Sequence, residues 1–512
     1  MRLVYVVLLL YEISARCGLR LPRRRDVRCW MPSRGTAIPT RTRDQFVDGR
    51  ADGSIRRSRR LTHQGRPGGG RAREAVLLSG ALACAFAMGC GDASGPNDYA
   101  WLELGPGGER IARFITGTDR CPSIEIDGRT FAMQVRAQPD PPAFPVLTCE
   151  ATVPAEATRA AIGPAPLPLP PRTAERLAII GDTGCRIQDG DQPQSCNDPQ
   201  AWPFASLSHA VSELVAWLTG EPAREDLGDL ARSIAALDPD LIVHVGDYLY
   251  RESACPEGDP GCVGSPYGYD WETIQADFFA PAAPMFGTAP LVLTRGNHES
   301  CSRAGAVWFR FLDPRPYDPA CNDYTEPYAI DAGGLQFLML DSSAASDTSA
   351  MPSQVAIYRQ QYASLRDLAG PRAFLVTHRP MWAFGHLGEV GGQETLFRDN
   401  PTLQAASDND LPLGVEAVLS GHIHLFQLLG FDQTRPPQVL VGNSGTELDP
   451  AVTTPLAGLE IAGATVAVGE THDAFGFVTL EAEDATWHLT LRDLDGSPLR
   501  ECTITGLQVI CP

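Results

Sequence analysis

Between residues 175 and 450, apolar runs typical of β-strands alternate with segments in which apolar residues recur at helical spacing. The strand-like runs are RLAIIGD, LIVHVGD, PLVLTRGN, LQFLMLD, RAFLVTH, EAVLSGH and QVLVGNS. Helical spacing is found at 223–237 and 353–369. A chain that alternates in this way buries its strands in sheets and packs its helices against the sheet faces, which predicts an α/β fold.

Most of these strand-like runs end in a residue that can bind a metal ion. The residues are Asp182, Asp247, Asn297, His378 and His422, with Tyr250, His298 and His424 close behind them. The loops at the carboxyl ends of strands gather at one edge of an open α/β sheet, so we expect these side chains to meet there. In GHIH, side chains two residues apart point the same way, so each imidazole can address one of two adjacent ions.

The first part of the chain is rich in arginine and differs from the rest. No lysine occurs, so all 42 basic residues are arginine, which indicates the codon bias of a high-GC bacterium. Arginines then precede the apolar segment AVLLSGALACAFAMGC, a secretory signal pattern. AMGC resembles a lipoprotein box with Cys90 as the lipidated residue, whereas AFA at 85–87 offers ordinary cleavage. We expect an exported protein, periplasmic or an outer-membrane lipoprotein, that touches the membrane only through a lipid anchor.

Ten cysteines follow Cys90. An even number in an exported chain indicates disulfide bonds. Neighbours in sequence pair naturally into short loops, and Cys255–Cys262 and Cys301–Cys321 are the pairs that we predict first.

The charge of the chain restricts its partners. The net charge is −20, and because residues 1–74 contribute +12, the remainder carries −32. An acidic body of this kind argues against nucleic acid as a partner. An anionic substrate would therefore have to be captured by a local positive centre, such as a metal site.

Five motifs in this order, GDTG, GDYLY, GNHE, LVTH and GHIH, resemble those of the calcineurin-like metallophosphoesterases. Within that group the pattern looks most like the purple acid phosphatases. Many other members carry Asp-x-His in the first motif, where this chain has Gly184. Tyr250, at the tyrosine of the GDxxY motif, can fill the vacancy. The resemblance implies a βαβ sandwich with central mixed sheets and helices outside, preceded by a small all-β region.

The resemblance also implies the metal ligands. Metal one, typically Fe(III), would take Asp182, Asp247, Tyr250 and His424, and metal two, Fe(II), Zn or Mn, would take Asp247, Asn297, His378 and His422. His298 would stand over the leaving group as a proton donor, and Glu299 would orient it. Phenolate and carboxylate suit a hard trivalent ion, while imidazole and amide suit a softer divalent one.

We divide the chain into four parts. Residues 1–90 are a leader with a lipoprotein-type signal, and 91–174 are a small β-rich region ending in the linker GPAPLPLPPRT. Residues 175–450 are the metallophosphoesterase catalytic domain, and 451–512 are a C-terminal β-rich segment.

The function that these features predict is two-metal hydrolysis of small-molecule phosphate esters, by attack of a metal-bound hydroxide. Phosphomonoesters are the first choice of substrate, as for an acid phosphatase. The alternatives are a phosphodiesterase that uses the same site and a non-catalytic surface lipoprotein that only binds metal.

Four other residues near the motifs have structural or undecided interpretations. We interpret Asp341 as structural support and His244 as a buried neutral side chain. Trp382 and His386 follow His378 and either line a substrate pocket or lie on a plain surface loop.

Overall fold

The computed structural model of the chain describes residues 98–204, 230–408 and 410–512. Two large mixed sheets dominate these residues. The leader, with Cys90 and its cleavage sites, lies outside the described residues, as do positions 223–229 of the first segment with helical spacing.

The first sheet has eleven strands. From edge to edge they are β26 (Gln508–Ile510), β25 (Pro498–Thr505), β24 (Thr486–Arg492), β23 (Phe477–Glu483), β9 (Arg176–Ile180), β10 (Leu241–His244), β11 (Leu291–Leu293), β1 (Tyr99–Leu104), β2 (Arg110–Thr116), β6 (Leu147–Val153) and β5 (Gln134–Ala137). The run β9–β10–β11–β1 is parallel, and the other neighbours are antiparallel.

The second sheet has seven strands. They are β12 (Tyr328–Ala332), β13 (Leu335–Leu340), β14 (Ala373–Thr377), β17 (Val415–Ser420), β19 (Gln438–Val441), β18 (Phe426–Gly430) and β22 (Val468–His472). The run β13–β14–β17–β19 is parallel. These strands read as near-continuous apolar runs because both faces of a parallel sheet are covered.

The remaining strands form small sheets. They are β4 (Arg129–Ala132), β3 (Ser123–Ile126), β7 (Ala160–Ile162) and β8 (Ala165–Leu167), and the hairpins β15 (Ala383–Val390) with β16 (Gln393–Asp399) and β20 (Glu460–Ile461) with β21 (Ala464–Thr465).

In the ranges that the structure describes, helices are few and all but one are short. They are α1 (Leu230–Ala236), α2 (Trp271–Ile274), α3 (Ala280–Phe286), α4 (Gly305–Val307), α5 (Pro352–Leu368) and α6 (Pro401–Ser407), with π-helical turns at Gln275–Phe279 and Trp308–Leu312 and a 3-10 turn at Pro106–Gly108. No helix among these is both long and apolar enough to cross a bilayer.

The two large sheets pack face to face. Ile179 and Val243 of the first sheet share one buried cluster with Phe374, Leu419 and Val439 of the second. Burial of each such side chain contributes about 1.5–3 kcal/mol. The α/β sandwich predicted from the sequence is thereby confirmed.

Helix α5 covers the outer face of the second sheet. It begins with Pro352, a residue well suited to the first helical position. Its buried residues Tyr358, Tyr362 and Leu365 recur at i, i+4 and i+7 and pack against the sheet. The helix predicted at 353–369 is confirmed within one residue.

The sequence on either side of the α/β region extends the first sheet. Strands β1, β2, β5 and β6 continue it beyond β11, and β23–β26 continue it beyond β9. The boundaries near residues 90, 174 and 450 remain a proposal about domain organisation, and the sheet itself runs across two of them.

Within the described residues, five disulfides each join two cysteines that are neighbours in the order of the sequence. They are Cys121–Cys149, Cys185–Cys196, Cys255–Cys262, Cys301–Cys321 and Cys502–Cys511. The two pairs predicted first from the sequence are confirmed. Because Cys301 lies two residues after Glu299, its bridge ties the GNHE loop to residue 321.

Candidate metal centre

The parallel strands of both sheets end at the same edge of the sandwich. Asp182 and Asp247 follow β9 and β10, and His422 follows β17. All three have left-handed backbone, with φ of 56°, 60° and 81°. Residues other than glycine rarely adopt this conformation, and when they do they cluster at functional sites.

Four buried side chains meet at one oxygen, the hydroxyl of Tyr250. It lies 2.9 Å from Asp182 Oδ1, 2.9 Å from Asp247 Oδ2 and 3.0 Å from His424 Nε2. We call these four residues the Tyr250 group. Three oxygen donors and one nitrogen around a common centre form a donor set that suits a hard metal ion.

The other candidate ligands meet at His378. Its Nε2 lies 3.1 Å from Asp247 Oδ2 and 3.0 Å from Asn297 Oδ1. The donor atoms of Asp247, His378 and His422 lie within 4.8 Å of one another. We call Asn297, His378 and His422 the His422 group. Asp247 is therefore close to both groups.

Backbone carbonyls orient two of the histidines. His378 Nδ1 lies 2.9 Å from the carbonyl of Val245, and His424 Nδ1 lies 2.9 Å from that of Glu447. A carbonyl only accepts, so Nδ1 carries a proton in each ring, and Nε2 is the nitrogen that would bind a metal in place of its own proton. Such partners are usual around metal-binding histidines.

Gly184 leaves the space that the ring of Tyr250 needs. A Cβ at this position would lie 3.0 Å from Tyr250 Cδ2 and 2.9 Å from the backbone nitrogen of Tyr250. Gly246, with φ of 108°, likewise makes room for His378, whose Nδ1 would be 2.5 Å from an added Cβ. These glycines let neighbouring candidate ligands pack directly against the backbone.

His298 lies against the Tyr250 ring, with the two ring centroids 3.8 Å apart. Its Nδ1 is 3.2 Å from the carbonyl of Leu249 and 3.3 Å from Glu252 Oε1. Its Nε2 is 3.9 Å from Asp247 Oδ2 and faces the site. Burial lowers the pKa of His298, and the charges of Asp247 and Glu252 offset only part of that shift.

Glu299 is placed differently from the expectation that it orients His298. Its carboxylate accepts the backbone N–H groups of Tyr248 (2.9 Å), Leu249 (3.2 Å) and Gly296 (3.1 Å). It thus ties two ligand-bearing loops together, and the carboxylate that meets the imidazole is that of Glu252. The physical reason is that a buried carboxylate needs donors close by, and these backbone N–H groups supply them; burial raises the pKa of Glu299 to about 7, while the hydrogen bonds from Tyr248 and Leu249 lower it.

The charges of the site call for a cation. Burial, with Asp182 and Asp247 close by, raises the pKa of Tyr250 well above its usual value. Burial raises the pKa of Asp182 well above its usual value too, whereas His378 and His298 outweigh burial and hold that of Asp247 well below. Buried carboxylates and a phenol in contact fit a bound metal ion, whose charge would hold the phenol ionised.

Several charged residues around the site lie outside the recognised sequence motifs. Arg303 Nη2 lies 2.7 Å from His298 Nδ1 and Nε of the same guanidinium donates to Glu252 at 2.6 Å. Arg379 and Asp347 lie beside His422. In the sequence, the one signal that could have identified Arg379 is its position directly after the candidate ligand His378.

The other interpreted residues have structural roles. Trp382 is buried against Phe431 and Arg435. It therefore belongs to the core and lies neither in a pocket wall nor on a surface loop. His386 pairs with Glu394 at 2.9 Å inside the β15–β16 hairpin. Asp341 accepts from Arg295 and Thr325, as expected of a structural residue. His244 is buried, and burial holds its pKa well below the usual value, as expected.

Comparison with known proteins gives a matching family model and a curated relative. Residues 175–426 match the family model of the calcineurin-like phosphoesterases. Purple acid phosphatase 15 of Arabidopsis thaliana is 23% identical over 279 residues, which are 49% of this chain and 50% of that protein. The chain therefore spans about half the length of this relative.

Two solved structures resemble the chain at low identity. That of PhoD is 10% identical and covers 82% of this chain and 93% of PhoD, with a TM-score of 0.49. That of GAP50, the anchor in the inner membrane complex of Plasmodium, is 11% identical and covers 66% of this chain and 90% of GAP50, with a TM-score of 0.37.

Proposed function

We propose that this calcineurin-like metallophosphoesterase, which is most like the purple acid phosphatases, hydrolyses phosphomonoesters at a site for two metal ions. Metal-dependent hydrolysis of phosphoesters follows from the family. The observation that supports the purple acid phosphatase type is the Tyr250 hydroxyl, which touches Asp182, Asp247 and His424 opposite Gly184.

The proposed ligands are the seven residues predicted from the motifs. Asp182, Asp247, Tyr250 and His424 would hold the first ion, and Asp247, Asn297, His378 and His422 the second. We assign Fe(III) to the first site because it contains phenolate and carboxylate oxygens, and Fe(II), Zn or Mn to the second. Two bound ions would neutralise charge on the phosphoryl oxygens and lower the pKa of a coordinated water.

His298 is the proposed proton donor to the leaving group. When the imidazole is protonated, its Nδ1 would donate to the carboxylate of Glu252 and its Nε2 would present a proton toward the site. Arg303, which only donates, would then pair with Glu252 and not with the ring. Burial opposes ionisation of Glu252, but hydrogen bonds from His298 and Arg303 outweigh it and lower the pKa of that carboxyl to about 2. Glu252 therefore remains charged and stabilises the protonated imidazole.

The proposed location is outside the cytoplasm. Five disulfides support an oxidising compartment. Lipidation at Cys90 would add membrane affinity of about 0.8 kcal/mol per buried methylene, so stable anchoring would need more than one acyl chain. If the mature N-terminus is found at Met88 and not at Cys90, the signal is cleaved after AFA and the protein is exported without a lipid anchor.

Metal analysis combined with two substrates tests the proposal. The protein is purified without chelator, its metals are quantified by mass spectrometry, and hydrolysis of 4-nitrophenyl phosphate and bis(4-nitrophenyl) phosphate is compared. We expect two ions per chain, iron among them, and faster turnover of the monoester. Faster turnover of the diester would favour the phosphodiesterase alternative, and bound metal with no hydrolysis of either would favour the non-catalytic one.

A further inference from the structure

Arg379 follows the candidate ligand His378 and reaches into the same site. Its side chain is only 12% exposed and forms an ion pair with Asp347. Its Nη1 lies 2.9 Å from His422 Nε2. Its Nε is buried and has no hydrogen-bond partner in the part of the chain that the structure describes. A guanidinium so deeply placed and so incompletely paired is unusual, because buried polar groups are normally satisfied.

The contact between Arg379 and His422 is incompatible with metal binding by His422. A guanidinium only donates, so the imidazole would have to accept at Nε2. If Nε2 binds an ion, its lone pair is already used. If Nδ1 binds the ion, the neutral ring carries its proton on Nε2, which then donates to Asp347 Oδ2 at 3.2 Å. In both cases Arg379 loses an acceptor.

The carboxylate of Asp347 forms an ion pair with the guanidinium, and that of Asp399 lies near enough to interact with its charge, but one ion pair cannot use all five donors. Asp347 is fixed in turn by the side-chain amide of Asn400, which donates to its Oδ1 at 2.7 Å. Asp399 is buried, and burial raises its pKa to about 7 while Arg379 opposes that rise. The guanidinium has five N–H donors in a rigid fork, so those that face His422 remain available to a ligand of the site.

We propose that Arg379 binds a terminal oxygen of the substrate phosphoryl group, and that Asp347 is a positioning residue that aims the guanidinium. The inference rests on the proposed function and extends it to substrate choice. A monoester dianion places more negative charge on its terminal oxygens than a diester monoanion. An additional cation whose hydrogen bonds are charge-assisted therefore favours monoesters.

The first test is direct binding of inorganic phosphate to the metal-loaded protein, measured by calorimetry. Arg379→Gln should weaken binding roughly tenfold to hundredfold, the range for a hydrogen bond to a charged group. Arg379→Lys should recover part of the loss because it restores the charge without the fork. Arg359→Gln is the matched control, since Arg359 lies on α5 and, among the described residues, its side chain donates only to the exposed carbonyl of Ala405. Binding by Arg379→Gln equal to that of the wild type would overturn the proposal.

The second test separates substrate binding from turnover. Arg379→Gln should raise KM for 4-nitrophenyl phosphate by roughly the same factor as it weakens phosphate binding. It should raise KM for the bis(4-nitrophenyl) ester less, and leave the metal content unchanged. Equal increases for both esters would refute a role in choosing monoesters.

Asp347→Asn should weaken phosphate binding less than Arg379→Gln, and combining the two should add little because both act through one guanidinium. Additive effects would show that Asp347 does not position Arg379. If the wild type binds phosphate but hydrolyses neither ester, the proposed function fails, while the comparison of phosphate binding still decides the role of Arg379.

Discussion

The Tyr250 group and the His422 group share Asp247 but differ in how completely they are assembled. Around the Tyr250 hydroxyl, three partner atoms lie within 3.0 Å and every side chain is buried. In the His422 group, His378 is held as firmly, yet His422 Nε2 faces Arg379 and Asp347, and its side chain is 19% exposed.

This difference indicates a division of labour. The four side chains of the Tyr250 group are all buried, so the first proposed metal position is enclosed by protein. The second proposed metal position is closer to solvent, since His422 is partly exposed beside the charged side chains of Arg379 and Asp347. Substrate would therefore approach from this side. The donor types differ as well: a phenol, two carboxylates and one imidazole surround the first position, whereas two imidazoles and an amide join the shared Asp247 at the second.

The largest effect should come from the residue that the two groups share. Asp247→Asn removes a negative charge that lies 2.9 Å from the Tyr250 hydroxyl and 3.1 Å from His378 Nε2. We expect both ions to be lost and hydrolysis to fall to background, as measured by metal analysis and a phosphomonoester assay. Asp331→Asn, on an exposed position of β12, is the control. A variant that retains two ions would show that Asp247 does not bridge them.

His298→Ala should leave both groups intact and slow the chemistry. The imidazole contacts the Tyr250 ring but is outside the proposed ligand set. Loss of a proton donor should lower kcat roughly 10²–10⁴-fold with the metal content unchanged. Metal loss in this variant would show that His298 is itself a ligand, which would contradict its assignment as a proton donor outside the ligand set.

Glu252→Gln should have a smaller effect, visible mainly in the pH profile. The ionised carboxylate raises the pKa of His298, so its removal lowers that pKa. A proton donor is lost as the pH rises through its pKa, so the alkaline limb of kcat should move to lower pH. An alkaline limb that does not move would show that Glu252 does not support the imidazolium.

Glu299→Gln should instead destabilise the fold, because Glu299 accepts three backbone N–H groups.

The sequence predicted the strands, the long helix and the meeting of the candidate ligands because these depend on local patterns. Apolar runs ending in Asp182, Asp247 or His378 identify parallel strands whose ends share an edge. The joining of the flanking strands to the same sheet was not predictable, since β1 pairs with β11 across almost two hundred residues of chain.

The residues around the ligands were harder to predict. Glu252 and Asp347 come from loops with no periodicity, and their positions depend on how separate strands pack. Glu299 was predictable as important but not as a buried acceptor of backbone N–H groups, because sequence does not show which way a side chain turns. Trp382 was misjudged for the same reason.

The visible spectrum of iron-loaded, oxidised protein tests the central claim, that Tyr250 takes the place left by Gly184 and binds a ferric ion as phenolate. The wild type should show a charge-transfer band, and Tyr250→Phe should lose it together with iron affinity while the fold survives. Tyr248→Phe should keep the band, because the Tyr248 hydroxyl donates to the carbonyl of Thr294 at 3.0 Å, away from the site. A colourless wild type, or a band that persists in Tyr250→Phe, would contradict the account.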